Sequence, residues 1–219
     1  MEDQNGLKKP DVAAIAVKGL LGAIPYVGPL VGEVVSTLIP NQRIKRLEKY
    51  VQILNEKLSN LQLSKEELER RLTRQESIDL LEDSFWQAAR ALSEERKGQI
   101  ASLMKNSLSS DQLDHIRYKQ LLSILGDLND AELLMLKAYS IREPLERDKF
   151  YKQHESVFRT PDIVVVVVSP WLEPPELTIL ASFAARLKRM GLIEDTYVTP
   201  LGCLLLAAID QAEEFWPKT

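Results

Sequence analysis

The residues able to do chemistry are few and scattered. In 219 residues there are one cysteine, Cys203, and two histidines, His115 and His154, and a thiol–imidazole pair is the chemistry such residues would support. Neither histidine lies near the cysteine in sequence, so no dyad is spelled out. Cys203 falls in the apolar stretch 201–209 and reads as a buried small hydrophobe rather than an activated thiolate. A single cysteine forms no internal disulfide and suits a reducing cytoplasm. Metal sites need clustered ligands, and no H-x-x-x-H, C-x-x-C or D-x-D-x-D-G spacing occurs. Gly19-Leu20-Leu21-Gly22 follows no strand and lacks the lysine–serine pair of a phosphate loop. The expectation is a non-enzyme with no cofactor and no metal site.

What remains are residues suited to binding. Residues 12–40 form the longest apolar run and carry four of the nine glycines. Pro25 and Pro29, with Gly28 between them, break this run into two apolar helical arms, because proline removes a backbone donor and clashes with the preceding turn. Each arm is 11 to 12 residues in sequence, roughly 17 Å of helix against the ~30 Å hydrocarbon core of a bilayer, so neither arm spans alone. Gly19 and Gly22 on one arm, and Gly28 and Gly32 on the other, allow close backbone approach. A buried, glycine-packed hairpin in a soluble core stands ahead of a latent membrane-active one. The run is too long and too interrupted by polar residues for a secretory signal. Directly after it, Arg43, Lys45, Arg46 and Lys49 cluster, which suits either anionic headgroups, at about 1 kcal/mol per charge, or a solvated basic face.

The elements around these sites are helical. Residues 1–10 are polar and read as a mobile tail. Ile44, Leu47, Val51, Leu54, Leu58 and Leu61 alternate at steps of three and four, a heptad seam of under three heptads. A helix packed in a bundle fits this better than a free coiled coil, and self-association through the 44–61 helix stays open. Ser64 with Glu67, Ser109 with Gln112, and Asn129 with Glu132 have capping-box spacing, with Ser77 and Ser93 as plain caps. The spacing predicts helices at about 65–75, 78–92, 94–107, 111–126 and 130–141, an all-α bundle. Leu92 and Ile116 belong to its apolar pattern, and Trp86 is expected in its core.

Beyond Pro144 come a charged amphipathic segment to Phe158 and then PDIVVVVVSP, whose six β-branched residues read as a strand. A helix at about 176–190 follows, with Leu177, Leu180, Phe183, Leu187 and Met190 inward and ended by Gly191. A short strand, a Glu194-Asp195 turn, a second strand and a helix capped by Thr199 with Pro200 in its first turn close the series. That order is winged-helix-like. The expected fold is therefore mainly α: a tail at 1–10, an apolar hairpin at 11–40, a helical bundle at 41–128, and a winged-helix-like unit with a small β-sheet at 129–219.

A winged helix raises DNA binding, with Arg186, Lys188 and Arg189 at the end of the recognition helix as candidate contacts. The charge opposes it: residues 170–219 hold four cations against seven carboxylates, and the whole chain is −4, where a phosphate-tracking module shows the reverse. A structural or protein-binding role for the winged unit is favoured.

The helical body, the phrase RLKRMGLIEDTYVTPLGCLLLAA and the glycine–proline opening followed by PNQRIKRLEKYVQIL together resemble the bacterial abortive-infection alpha family. The resemblance covers most of the chain in outline. It implies an intracellular bacterial protein of phage defence, acting by arresting or killing the host cell, and it supplies no catalytic motif. The functional expectation is a cytoplasmic defence effector, associated with the inner membrane, whose hairpin is released to a membrane or protein partner. A DNA-binding regulator that dimerises through the heptad helix and a scaffold with a buried hairpin are the alternatives.

Overall fold

The computed structural model describes residues 41–109, 114–158, 175–195 and 197–210. The apolar hairpin expected at 11–40, with Gly19, Gly22, Pro25, Gly28, Pro29 and Gly32, lies outside the described residues, as do the valine run and Gln112. Among the described residues there are ten helices and one two-stranded sheet: α1 (Asn41–Ser59), α2 (Lys65–Leu72), α3 (Gln75–Arg90), α4 (Glu94–Ser109), α5 (His115–Asp127), α6 (Asp130–Ser140), α7 (Pro144–Gln153), α8 (Glu155–Phe158), α9 (Pro175–Arg189), β1 (Ile193–Glu194), β2 (Tyr197–Val198) and α10 (Pro200–Ala208). The fold is mainly helical, with a small antiparallel sheet near the C-terminus. Contacts divide it into two units, Met1–Gly126 and Asp127–Thr219.

In the first unit the heptad seam becomes core as far as Leu58, while Leu61 lies past the end of α1 and is only partly buried. Ile44, Leu47, Val51, Leu54 and Leu58 are buried, and α1 packs on α3 and α4. The bundle consumes this seam within one chain. Tyr50 lies beside it, fully buried, with its hydroxyl donating to Ser84 Oγ at 2.8 Å and its ring edge-on to Phe85 at 5.5 Å. Burial pushes the Tyr50 phenol far above its ordinary value, the Ser84 bond opposing.

α4 is the central helix, with apolar and polar residues buried on both sides, from Arg96 and Lys97 to Ser107 and Leu108. Three arginines tie helix ends together. Arg46 Nη1 donates to the Ala89 carbonyl in the last turn of α3 (3.3 Å). Arg71 Nη1 donates to Leu108 in the last turn of α4 (2.7 Å), and Arg96 Nη1 to Leu125 in the last turn of α5 (3.0 Å). The last carbonyls of a helix lack intrahelical partners and carry the negative end of its dipole, so a cation there satisfies both needs.

Several local expectations are corrected. Ser64 accepts from the Glu67 amide (3.2 Å), but the Glu67 carboxylate turns to Arg70 and Arg71 instead of closing the box. Ser77 is no cap; it is buried inside α3, which starts after Arg74 without a side-chain cap. Trp86 is 38% exposed, and Leu92 and Ile116 are each 80% exposed. α3 ends at Arg90, so Leu92 leaves the helical stripe and sits in the α3–α4 turn. Ser93 does cap α4, accepting from the Arg96 amide at 3.1 Å.

In the second unit the Asn129–Glu132 capping box is complete, both bonds being 2.8 Å. α7 and α8 wrap a small cluster of Ala138, Ile141 and Phe150. α9 buries Leu187 fully and Leu177, Leu180, Phe183 and Met190 only in part. It ends in a Schellman motif: Leu192 N–H bonds the Leu187 carbonyl and Gly191 N–H that of Lys188, both at 3.0 Å, with Gly191 at φ +71°. β1 and β2 pair Ile193 with Val198 and Glu194 with Tyr197. Glu194 is thus a strand residue, and the turn begins at Asp195, in the left-handed region at φ +50°. Thr199 caps α10 by accepting from Gly202 N–H. A Cβ on Gly202 would meet the Leu192 carbonyl at 2.3 Å, so the start of α10 closes directly on the hairpin backbone.

Candidate functional site

The basic cluster at the start of α1 is divided between structural and solvent-facing roles. Lys45 is exposed and Arg43 partly so. Arg46 holds the end of α3, and Lys49 pairs with Glu94 at 3.4 Å, both side chains well exposed. Lys97 joins them from α4, an addition the sequence pattern did not indicate. It is buried, and its Nζ reaches the carbonyls of Ser93 at 3.3 Å and Leu92 at 3.5 Å. Burial lowers the pKa of the Lys97 ammonium; Glu94 opposes this, while Arg46 and Lys49 push the same way. Three cations therefore converge on the α3–α4 turn, where Glu94 and Glu95 open α4.

A second charged cluster joins α3 to α5. Asp79 Oδ2 accepts from Lys119 Nζ at 2.5 Å and lies 3.1 Å from His115 Nε2, and Asp83 lies 3.4 Å from the same lysine. The hydrogen bond to Asp79 holds the Lys119 pKa above its ordinary value, which makes a poor nucleophile. His115 is thus paired with Asp79. The arrangement ties α3 to α5. His154 instead stacks obliquely on Phe150, centroids 4.5 Å apart.

On α9 the three cations diverge. Arg186 Nη1 reaches Glu132 Oε1 at 3.3 Å, and its Nη2 donates to the Asp127 carbonyl. Lys188 pairs with Asp195 of the hairpin at 3.0 Å. Arg189 is exposed. Two of the three candidate DNA contacts are therefore held by acceptors of their own unit. Tyr197, 75% exposed on β2, is an apolar surface residue of the same hairpin.

Cys203 is buried, and burial pushes its thiol upward, the charge of Arg142 pulling partly back, which disfavours the thiolate. Among the described residues no group of three His, Cys, Asp or Glu is placed to hold a metal ion. No described helix is long and apolar enough to cross a membrane. In comparisons with known proteins, no family model, curated protein or solved structure matches the chain.

Proposed function

We propose that this chain is a non-enzymatic interaction protein of the phage-defence, abortive-infection type, acting at the anionic surface of the bacterial inner membrane from the cytoplasmic side. Residues 11–40 form the apolar hairpin that engages the bilayer, and the basic start of α1 is its collar. One observation carries this reading: α1 begins at Asn41, directly after the apolar run, and spends its apolar seam inside the bundle while Lys45 and, in part, Arg43 face solvent. The run is thus anchored to a folded body by a helix whose first turns are cationic, the order expected of a juxtamembrane basic segment. A protein partner, including a second copy, would meet surfaces other than the seam.

Sedimentation with phosphatidylglycerol-containing vesicles tests this. Full-length protein pellets with lipid, whereas a variant lacking residues 1–40, with its helicity checked by circular dichroism, stays in solution. Equal behaviour of the two chains removes the hairpin from the contact.

A DNA-binding regulator is the second reading, favoured by the series α9, β1, β2, α10, which we take as winged-helix-like, and by the exposed Arg189. It predicts a duplex shift with steep salt dependence. Arg186 and Lys188 would have to leave carboxylates to reach phosphate, so protein or membrane interaction stands ahead.

A further inference from the structure

The α3–α4 turn presents an apolar side chain to solvent. Leu92, 80% exposed, projects from a turn on which three cations from two other helical turns converge: Arg46 at the Ala89 carbonyl, Lys97 at the Leu92 and Ser93 carbonyls, and Lys49 at Glu94. Single exposed leucines are ordinary on protein surfaces. This one differs in standing among three cations, beside the carboxylates Glu94 and Glu95 of the first turn of α4, at the end of the unit where α1 starts: Arg46 lies five residues into α1, roughly 8 Å of helix rise from its start.

We propose that the α3–α4 turn is a second lipid contact, in which Leu92 enters the interfacial layer of an anionic bilayer while Arg46, Lys49 and Lys97 hold a headgroup phosphate. This rests on the membrane reading and adds the site to it. The Arg46 fork donates through one nitrogen to a carbonyl, leaving further N–H donors for phosphate oxygens. Lys97 contributes a charge whose two carbonyl acceptors are long, at 3.3 and 3.5 Å. The three cations stand against the two carboxylates of the first turn of α4, Glu94 and Glu95, and burial together with Arg46 and Lys49 disfavours the Lys97 charge against the opposing pull of Glu94, an imbalance that a bound phosphate relieves. An apolar prong beside a surplus of cations is the pairing that interfacial anchoring needs, since neither term alone gives stable attachment.

The test places an environment-sensitive fluorophore on full-length protein at Leu92→Cys, with Ser59→Cys, exposed at the far end of α1, as control; buried Cys203 stays unlabelled. With vesicles of phosphatidylcholine plus phosphatidylglycerol, the label at 92 shifts to the blue and the label at 59 does not. With phosphatidylcholine alone neither shifts. Leu92→Ser lowers partitioning about tenfold, Lys97→Met about fivefold, and Lys97→Arg restores it. Vesicle binding with the label at 92 still in water, or with Leu92→Ser and Lys97→Met binding like the native chain, overturns this contact and leaves the hairpin reading standing. Failure to bind any vesicle overturns both. Saturable binding of inorganic phosphate, lost in Lys97→Met, without vesicle binding makes the site a soluble-phosphate site and overturns the lipid assignment.

Discussion

Removing Arg186 should cost the second unit stability, and the cost can be worked from its partner. Glu132 has a side chain only 1% exposed. Its Oε2 accepts the Asn129 amide at 2.8 Å, and its Oε1 faces Arg186 Nη1 at 3.3 Å. Arg186→Gln removes the cation that faces this carboxylate and the donor to the Asp127 carbonyl. Breaking a buried ion pair from one side costs about 3–5 kcal/mol. Arg186 is itself 40% exposed and its contact is long, so water partly replaces it, and a lost charged hydrogen bond of about 1.5–3 kcal/mol is the better guide. We expect about 2–3 kcal/mol, with Glu132→Gln in the same background recovering about 1 kcal/mol or more, because the stranded charge is then gone. Urea unfolding followed by hydrogen exchange in residues 127–140 and 186–208 reads this unit separately from the other. A loss below about 0.5 kcal/mol, within the range of ordinary surface substitutions, refutes the reasoning, and so does a Glu132→Gln change that adds to the loss. In that event Arg186 is a free surface cation and the DNA reading regains a contact.

Three further outcomes are expected. Tyr50→Phe should lower stability by about 1 kcal/mol in thermal or urea unfolding, since it deletes the buried bond to Ser84, and Ser84 still donates to the Leu81 carbonyl; Tyr50→Ala should cost about 3–5 kcal/mol. Glu67 is held down to about 2 by its hydrogen bonds to Arg70 and then Arg71. Its contribution is therefore present above the unfolded carboxylate value and is lost as pH falls from about 4.5 toward 2, and Glu67→Gln should flatten the acid limb of a stability–pH curve in that window. Gly202→Ala should destabilise the second unit by about 1–3 kcal/mol, because its Cβ meets the Leu192 carbonyl and Val198 Cγ2 at 2.3 and 2.6 Å, read as a fall in melting temperature.

The periodic signals in the sequence translated directly into structure where each depends on neighbours a few residues away. The α1 seam of Ile44, Leu47, Val51, Leu54 and Leu58 is buried, Asn129 and Glu132 close their box, Thr199 caps α10 and Gly191 stops α9. Helical spacing, capping and a left-handed glycine are local, so sequence alone determined them. Trp86, Leu92 and Ile116 were misplaced because periodicity marks which residues share a stripe, while the point at which a helix stops and what packs on it are tertiary facts. Ser77 failed as a cap for a related reason, the helix starting two residues earlier.

Charge was least legible. Arg43, Lys45, Arg46 and Lys49 read as one patch, yet Arg46 ends on an α3 carbonyl and Lys49 on Glu94. Lys97, 48 residues after Lys49 in the chain, proves to be their neighbour. Arg186 and Lys188 read as DNA contacts and are held by Glu132 and Asp195. The sequence by itself determined an α-rich chain, its helix-end signals and an apolar run followed by basic residues. Only the tertiary structure decided which cations cap helices and which converge on the α3–α4 turn. A hydrophobic stripe is satisfied by any apolar neighbour, whereas an ion's partner is a particular atom that the fold must bring within about 3–4 Å.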